Sequence, residues 1–157
     1  MIRQLRAATI VEIGVQEGVG SQRIIEAALR SSPADEIRYT GIDLFEARPP
    51  HSPGLKLKDA HRKLKQTGVH VQLMPGDPFS ALARSANTLP GIDLIVIRGD
   101  QEPEALQRSW FYLPRMLHDR SVVLQESDSA GTVRFIPISR DSIEQWASAS
   151  SASRRAA

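Results

Sequence analysis

Thr9-Ile10-Val11-Glu12-Ile13-Gly14-Val15-Gln16-Glu17-Gly18-Val19-Gly20-Ser21 is the stretch from which the chain can be read outward. A β-branched run carries an acid near its end, and three glycines follow within seven residues. Ser21 then opens a helical pattern with apolar positions at Ile24, Ile25, Ala28 and Leu29. The spacing predicts a strand, a tight loop and a helix. A backbone that turns sharply at the carboxyl end of a strand needs positive φ or room for a ligand, and glycine supplies both without strain.

The same alternation continues. Ile37 to Leu44 reads as a second strand ending on Asp43, and Phe45 to Gly54, with three prolines, as an irregular loop able to act as a lid. Leu55 to Thr67 is a basic helix closed by Gly68, and Val69 to Met74 a third strand. Asp77-Pro78 fits an N-cap with proline at the first helical position, opening a helix along Phe79, Leu82, Ala83 and Ala86. Gly91 to Ile97 is nearly all apolar, as a central strand covered on both faces should be. Glu102-Pro103-Glu104 starts a helix whose inward positions are Leu106, Trp110, Leu113 and Leu117. Phe111 or Tyr112 then faces outward, as an oligomer contact. Ser121 to Gln125 is the fifth strand.

Strands alternating with helices at this spacing imply a doubly wound α/β domain with a parallel sheet and helices on both faces. Only Glu126 to Thr132 separate the fifth strand from Val133 to Ile138. A parallel crossover needs a dozen or more residues, so the sixth strand is expected antiparallel. Asp141 to Trp146 adds a short helix. Residues 1–146 are thus expected as one domain, and 147–157 as a flexible Ala/Ser-rich tail.

Composition removes several function classes. Twenty basic and eighteen acidic residues give a net charge of +2, too balanced for a nucleic-acid footprint, and the run Lys56 to Lys65 reads as a solvated helix face. There is no cysteine for a disulfide framework or a thiolate metal site. No apolar run approaches the ~18 to 20 residues that span a bilayer, and no signal-peptide core follows Arg6. The expectation is a soluble cytoplasmic protein without a membrane or nucleic-acid partner.

In such a sheet the ligand lies outside the carboxyl ends of the strands. Collected there are Glu12 with Gly14, Gly18 and Gly20; Asp43 and Glu46; Gly76 and Asp77; Arg98, Gly99 and Asp100; and Gln125, Glu126 and Asp128. Carboxylates repel phosphate, and the loop has no lysine, so a P-loop is excluded. The dinucleotide pattern Gly-x-Gly-x-x-Gly is also absent, which argues against a nicotinamide reductase. A ribose diol, an exocyclic amine and a cationic centre suit this rim better.

The combination resembles the class I S-adenosylmethionine-dependent methyltransferases over about Ala8 to Asp128. Val11-Glu12-Ile13-Gly14-x-x-x-Gly18-x-Gly20-Ser21 is similar to their first motif, Gly41-Ile42-Asp43 to the acid ending their second strand, and Gly76-Asp77 to their adenine-side motif. Asp93 to Asp100 is similar to the fourth motif of the small O-methyltransferase branch. The resemblance implies S-adenosylmethionine as cofactor. It puts the Gly14 loop against the methionine moiety with Glu12 in support, Asp43 on the ribose hydroxyls, and Asp77 on the adenine amine.

Three departures from that family shape the expectations. Arg98 stands where metal-using members carry a carboxylate, so no metal is expected, with Arg98 paired to Asp100 or Glu126. Pro78 offers no N–H to an adenine ring, leaving Phe79 to substitute. Only Met1 to Ala7 and the tail are at hand to cover the substrate, so the substrate side is expected either to be open or to be closed by a second copy in a homo-oligomer or by ordering of Phe45 to Gly54. Candidate bases for a small-molecule acceptor are Asp100, Glu126 and His51. A binding or scaffold protein that keeps the fold without turnover is the alternative.

Overall fold

The computed structural model describes residues 5–156. Six strands form one sheet: β1 (Thr9–Ile13), β2 (Arg38–Asp43), β3 (His70–Pro75), β4 (Ile92–Ile97), β5 (Leu117–Ser129) and β6 (Thr132–Ile138). Their order is β3-β2-β1-β4-β5-β6. The first five are parallel, and β6 pairs antiparallel with β5. The chain reverses direction across the sheet between β1 and β4, the central pair.

Alternation along the strands builds two cores. Ile10 of β1 and Leu94 and Val96 of β4 face a layer made by α1 (Val19–Leu29) and α2 (Leu57–Lys65), with Ile25, Ala28, Ala60 and Leu64 buried between. Val11, Ile13, Ile95 and Ile97 face the opposite layer. That layer comprises α3 (Pro78–Ser85), α4 (Pro103–Ser109), a 3-10 segment over Trp110–Met116, and α5 (Arg140–Ala156). Trp110 and Tyr112 are buried there and Phe111 is half-buried, so Phe111 is the aromatic that faces out. No helix among the described residues is long and apolar enough to cross a membrane.

Three elements differ from the expected lengths. The helix expected to carry Leu106 through Leu117 stops at Ser109, where the chain tightens into the 3-10 segment that holds Pro114, and Leu117 already opens β5, four residues before the expected Ser121. The polar residues Glu126 to Ser129 continue β5, and Ser129 pairs directly with Thr132, leaving a two-residue turn at Ala130-Gly131. Both turn residues have positive φ, which matches the right-handed twist of a tight hairpin. The expected short helix at 141–146 is the start of the 17-residue α5, so the stretch read above as a tail is helical from 147 to 156. Trp146 seats this helix by packing on Trp110 at 4.7 Å between ring centroids, and Ala147 and Ser150 are buried behind it.

Asp93, at the start of the fourth-motif run, lies at the end of the sheet remote from the strand carboxyl ends. Its Oδ2 accepts the N–H groups of Ala8 (2.9 Å) and Thr9 (2.8 Å), and His118 Nε2 lies 3.0 Å from Oδ1. His118 Nδ1 in turn accepts the Arg120 N–H at 3.1 Å, so both ring nitrogens are used structurally. Asp93 therefore ties together the starts of β1, β4 and β5. Burial works to raise its pKa, but the hydrogen bonds from Thr9, Ala8 and His118 outweigh this and hold it below the ordinary 3.8. Its stabilisation is then present above 3.8 and lost as pH falls through the lower folded value. Asp93→Ala should cost about 2 to 4 kcal/mol in denaturant unfolding at pH 7, and the gap from the unsubstituted protein should close on acidification.

Candidate functional site

The carboxyl ends of β1, β2 and β4 meet where the strand order reverses, the place at which an open α/β sheet forms its strand-end crevice. Gly14 (φ +99°) ends β1 and Gly18 (φ +75°) caps α1, both in backbone conformations that side chains disfavour. Because Gly18 already turns the chain, α1 begins at Val19, two residues before the position expected from Ser21.

Asp43, at the end of β2, is the acceptor around which the two neighbouring loops close. Its Oδ2 accepts the Gln16 N–H at 2.8 Å, and its Oδ1 accepts the Phe45 N–H at 3.0 Å. Gln16 (φ 55°) and Phe45 (φ 48°) are both held in the left-handed region, sparsely populated for such residues. Arg48 completes the set, donating from Nε to Oδ1 at 2.7 Å and pairing through its second terminal nitrogen with Oδ2. Burial alone would raise the Asp43 carboxyl. The hydrogen bonds from Arg48, Gln16 and Phe45 bring it below its ordinary value instead.

Arg48 belongs to the proline-rich loop and organises it. Its Nη1 donates to the Pro53 carbonyl at 3.0 Å and to Asp100 Oδ2 at 3.1 Å, and a Cβ on Gly54 would stand 2.5 Å from its Nε. The loop thus wraps a guanidinium whose side chain is only 10% exposed. His51, expected as a candidate base, lies exposed at the surface of this loop.

A second carboxylate–arginine system lies on the other side of Gly14. Glu12 is fully buried, and its Oε1 accepts from Arg98 at 2.7 Å while its Oε2 accepts from the Tyr39 hydroxyl. Its partner in register on β2 is Gly41, where a Cβ would stand 3.1 Å from the Tyr39 ring. That bare position makes room for Val15 and Leu73, which would meet a Cβ at 2.7 and 2.9 Å, as well as for the phenol that reaches Glu12. Burial pushes the Glu12 carboxyl up, and Arg98 together with the Tyr39 hydrogen bond only partly offsets it. Ser21 Oγ is buried without a hydrogen bond. Arg98 also pairs with Glu126 at 3.1 Å and lies 5.1 Å from the Phe135 ring centroid. Of the two partners expected for Arg98, Glu126 is the one it meets, whereas Asp100 belongs to Arg48.

These systems fill the space over the glycine loop. A Cβ on Gly14 would stand 2.7 Å from Arg98 Cβ and 2.6 Å from Gln101 Nε2, and one on Gly20 would overlap the Arg98 guanidinium. Gly76 closes β3 beside Asp43, donating its N–H to the Asp43 carbonyl at 2.9 Å. Asp77 caps α3, accepting from Ser80 N (3.0 Å) and Ser80 Oγ (2.6 Å). The Phe79 ring packs under Arg108 and against Tyr112, at the first turn of α3. Arg48, Tyr39, Gln101 and Phe135 are the crevice residues that sequence reasoning did not single out. Only the bare Gly41 opposite Glu12 hinted at Tyr39.

No protein-family model and no curated protein matches the sequence. Solved structures do resemble the fold. The O-methyltransferase TomG of Streptomyces achromogenes, in complex with S-adenosylmethionine, is similar at TM-score 0.59 and 16% identity, over 94% of this chain and 62% of that one. A TehB-like S-adenosylmethionine-dependent methyltransferase of Corynebacterium glutamicum gives 0.53 and 14%, over 95% and 71%. A precorrin-6y C5,15-methyltransferase of Geobacter metallireducens gives 0.50 and 17%, over 82% and 61%. The chain thus spans about three fifths of the length of the first and third. At these identities the likeness establishes a shared fold, that of the class I S-adenosylmethionine-dependent methyltransferases.

If Arg48 holds the loop together, Arg48→Gln should speed amide exchange of Arg48–Leu55 roughly tenfold or more, the scale set by losing charged hydrogen bonds. Exchange in β4 should stay unchanged.

Proposed function

We propose that this chain binds S-adenosylmethionine at the strand-end crevice and transfers its methyl group to a small-molecule acceptor without a divalent metal. The observation that carries the reading is the Asp43 carboxylate. It holds the glycine loop through Gln16, and its two remaining lone-pair positions are taken by one guanidinium. A vicinal diol offers two hydroxyl donors to those same two oxygens. The residues therefore fit a ribose once Arg48 swings aside.

The cofactor would supply an already activated methyl group, which leaves positioning as the protein's main task. Glu12, locked by Arg98 and Tyr39, supports the Gly14 loop from beneath. Gly76 and Asp77 border the adenine side, where Asp77 has to share its oxygens with Ser80. Of the three candidate bases, Asp100 is the one that shares the Arg48 guanidinium with Asp43. Metal independence is supported by Arg98, a fixed cation between Glu12 and Glu126, which opposes a second cation there.

A second reading, binding without turnover, is favoured by the packing of Arg98 over Gly20, which narrows the methionine end of the crevice. Calorimetry followed by a turnover assay separates the two. S-adenosylmethionine and S-adenosylhomocysteine should bind with the same affinity in EDTA and in Mg²⁺, and NADH should not bind. Asp43→Asn should weaken both by about 10- to 100-fold, the loss of charged hydrogen bonds. Preference for NADH, or indifference to Asp43, would contradict the reading; binding without methyl transfer to any acceptor would leave the second one.

A further inference from the structure

A separate cluster lies on the helical layer at the far end of the sheet from the crevice, beyond the carboxyl end of α3. Phe111 and Tyr112 meet edge to face with ring centroids 5.1 Å apart. Two guanidiniums flank them: that of Arg115 is 4.9 Å from the Phe111 centroid and that of Arg154 is 4.8 Å from it. Arg115 donates to Asn87 Oδ1 and Arg154 to the Tyr112 hydroxyl, each at 3.3 Å. Beside them is a pocket of about 620 Å³, lined also by Arg155 and by no acidic residue.

What sets this cluster apart is that two guanidiniums share one ring with a third arginine beside it, since lack of a carboxylate partner is common to most arginines among the described residues. Both crevice arginines are paired with two carboxylates each. Among the described residues, Arg115, Arg154 and Arg155 have no carboxylate within ion-pairing distance. A ring face attracts each cation separately. It does not remove the repulsion between two guanidiniums gathered on one ring, nor explain a third beside them. The dipole at the end of α5 favours Arg154 and Arg155 but does not account for Arg115. Asn87 and Tyr112 orient the two forks, leaving further N–H donors on each guanidinium for a multivalent oxyanion.

We propose that this pocket binds a small soluble di- or oligophosphate, with Arg115, Arg154 and Arg155 as its receptors. The site is independent of the crevice and of the activity proposed for it.

Sodium pyrophosphate is the probe, titrated by calorimetry and by amide shifts in 0.1 M salt. The expected result is saturable one-to-one binding with shifts centred on Asn87, Phe111 and Ser151, unaltered by S-adenosylhomocysteine. Arg115→Gln with Arg154→Gln should weaken it at least tenfold. Arg23→Gln with Arg30→Gln, an equal charge loss on α1, should leave it unchanged. Arg155 makes no side-chain hydrogen bond among the described residues, so Arg155→Gln keeps the test open if the double variant unfolds; it should weaken binding about threefold. Absence of saturation, equal weakening in the α1 variant, or stronger retention by anionic vesicles or an oligonucleotide than by pyrophosphate would overturn the proposal.

Discussion

The interaction on which the crevice depends is the four-way hydrogen bonding of the Asp43 carboxylate. Two of its donors, Gln16 and Phe45, are non-glycine residues with positive φ in two different loops. Backbone held in that region costs on the order of 1 kcal/mol or more per residue, and a charged hydrogen bond is of the size to offset it. The loop after β1 and the loop after β2 therefore share one anchor. Any group that competes for this carboxylate acts on both loops at once.

The two arginines hold the crevice in different ways. Arg98 joins the fully buried Glu12 to Glu126 across three strands, so removing it would strand a buried charge. It is part of the scaffold. Arg48 sits on a surface loop, and its departure from Asp43 would still leave it Asp100, on the β4 side. A ligand that replaces Arg48 must offset an ion pair and the order of the proline-rich loop. Its apparent affinity falls accordingly, as for any site whose competent state is a minor one. Through one displaceable guanidinium, ligand binding at Asp43 is linked to the covering loop and to Asp100.

The architecture was legible because its signals are local. β1 and β4 announce themselves as apolar runs, and seven intervening residues suffice to make β6 antiparallel. The hairpin extension over Glu126 to Ser129 was not legible, since those residues are polar and stand where the sheet runs past its core. Nor was the length of α5: alanine and serine read as a tail until Trp146 finds Trp110. In the crevice, the acids Glu12, Asp43 and Asp100 could be placed by strand ends alone. Arg98 could be placed there too, with Glu126 as a partner, but its reach sideways over Gly20 to Glu12 could not, and Arg48 is set by a loop with no periodicity. Asp93 shows the converse error of reading a motif as one unit. It shares a strand with Ile97, yet a six-residue strand is roughly 20 Å long, so its acid serves the opposite end of the sheet.

The most direct test of this account follows the Nε–H resonances of Arg48 and Arg98 by NMR as S-adenosylhomocysteine is added. Hydrogen bonds to Asp43 and Glu12 should make both visible and slow to exchange in the free protein. The ligand should release Arg48, whose signal shifts and loses protection, while Arg98 keeps its own. Saturable binding that leaves Arg48 protected, or that frees Arg98 instead, would contradict it.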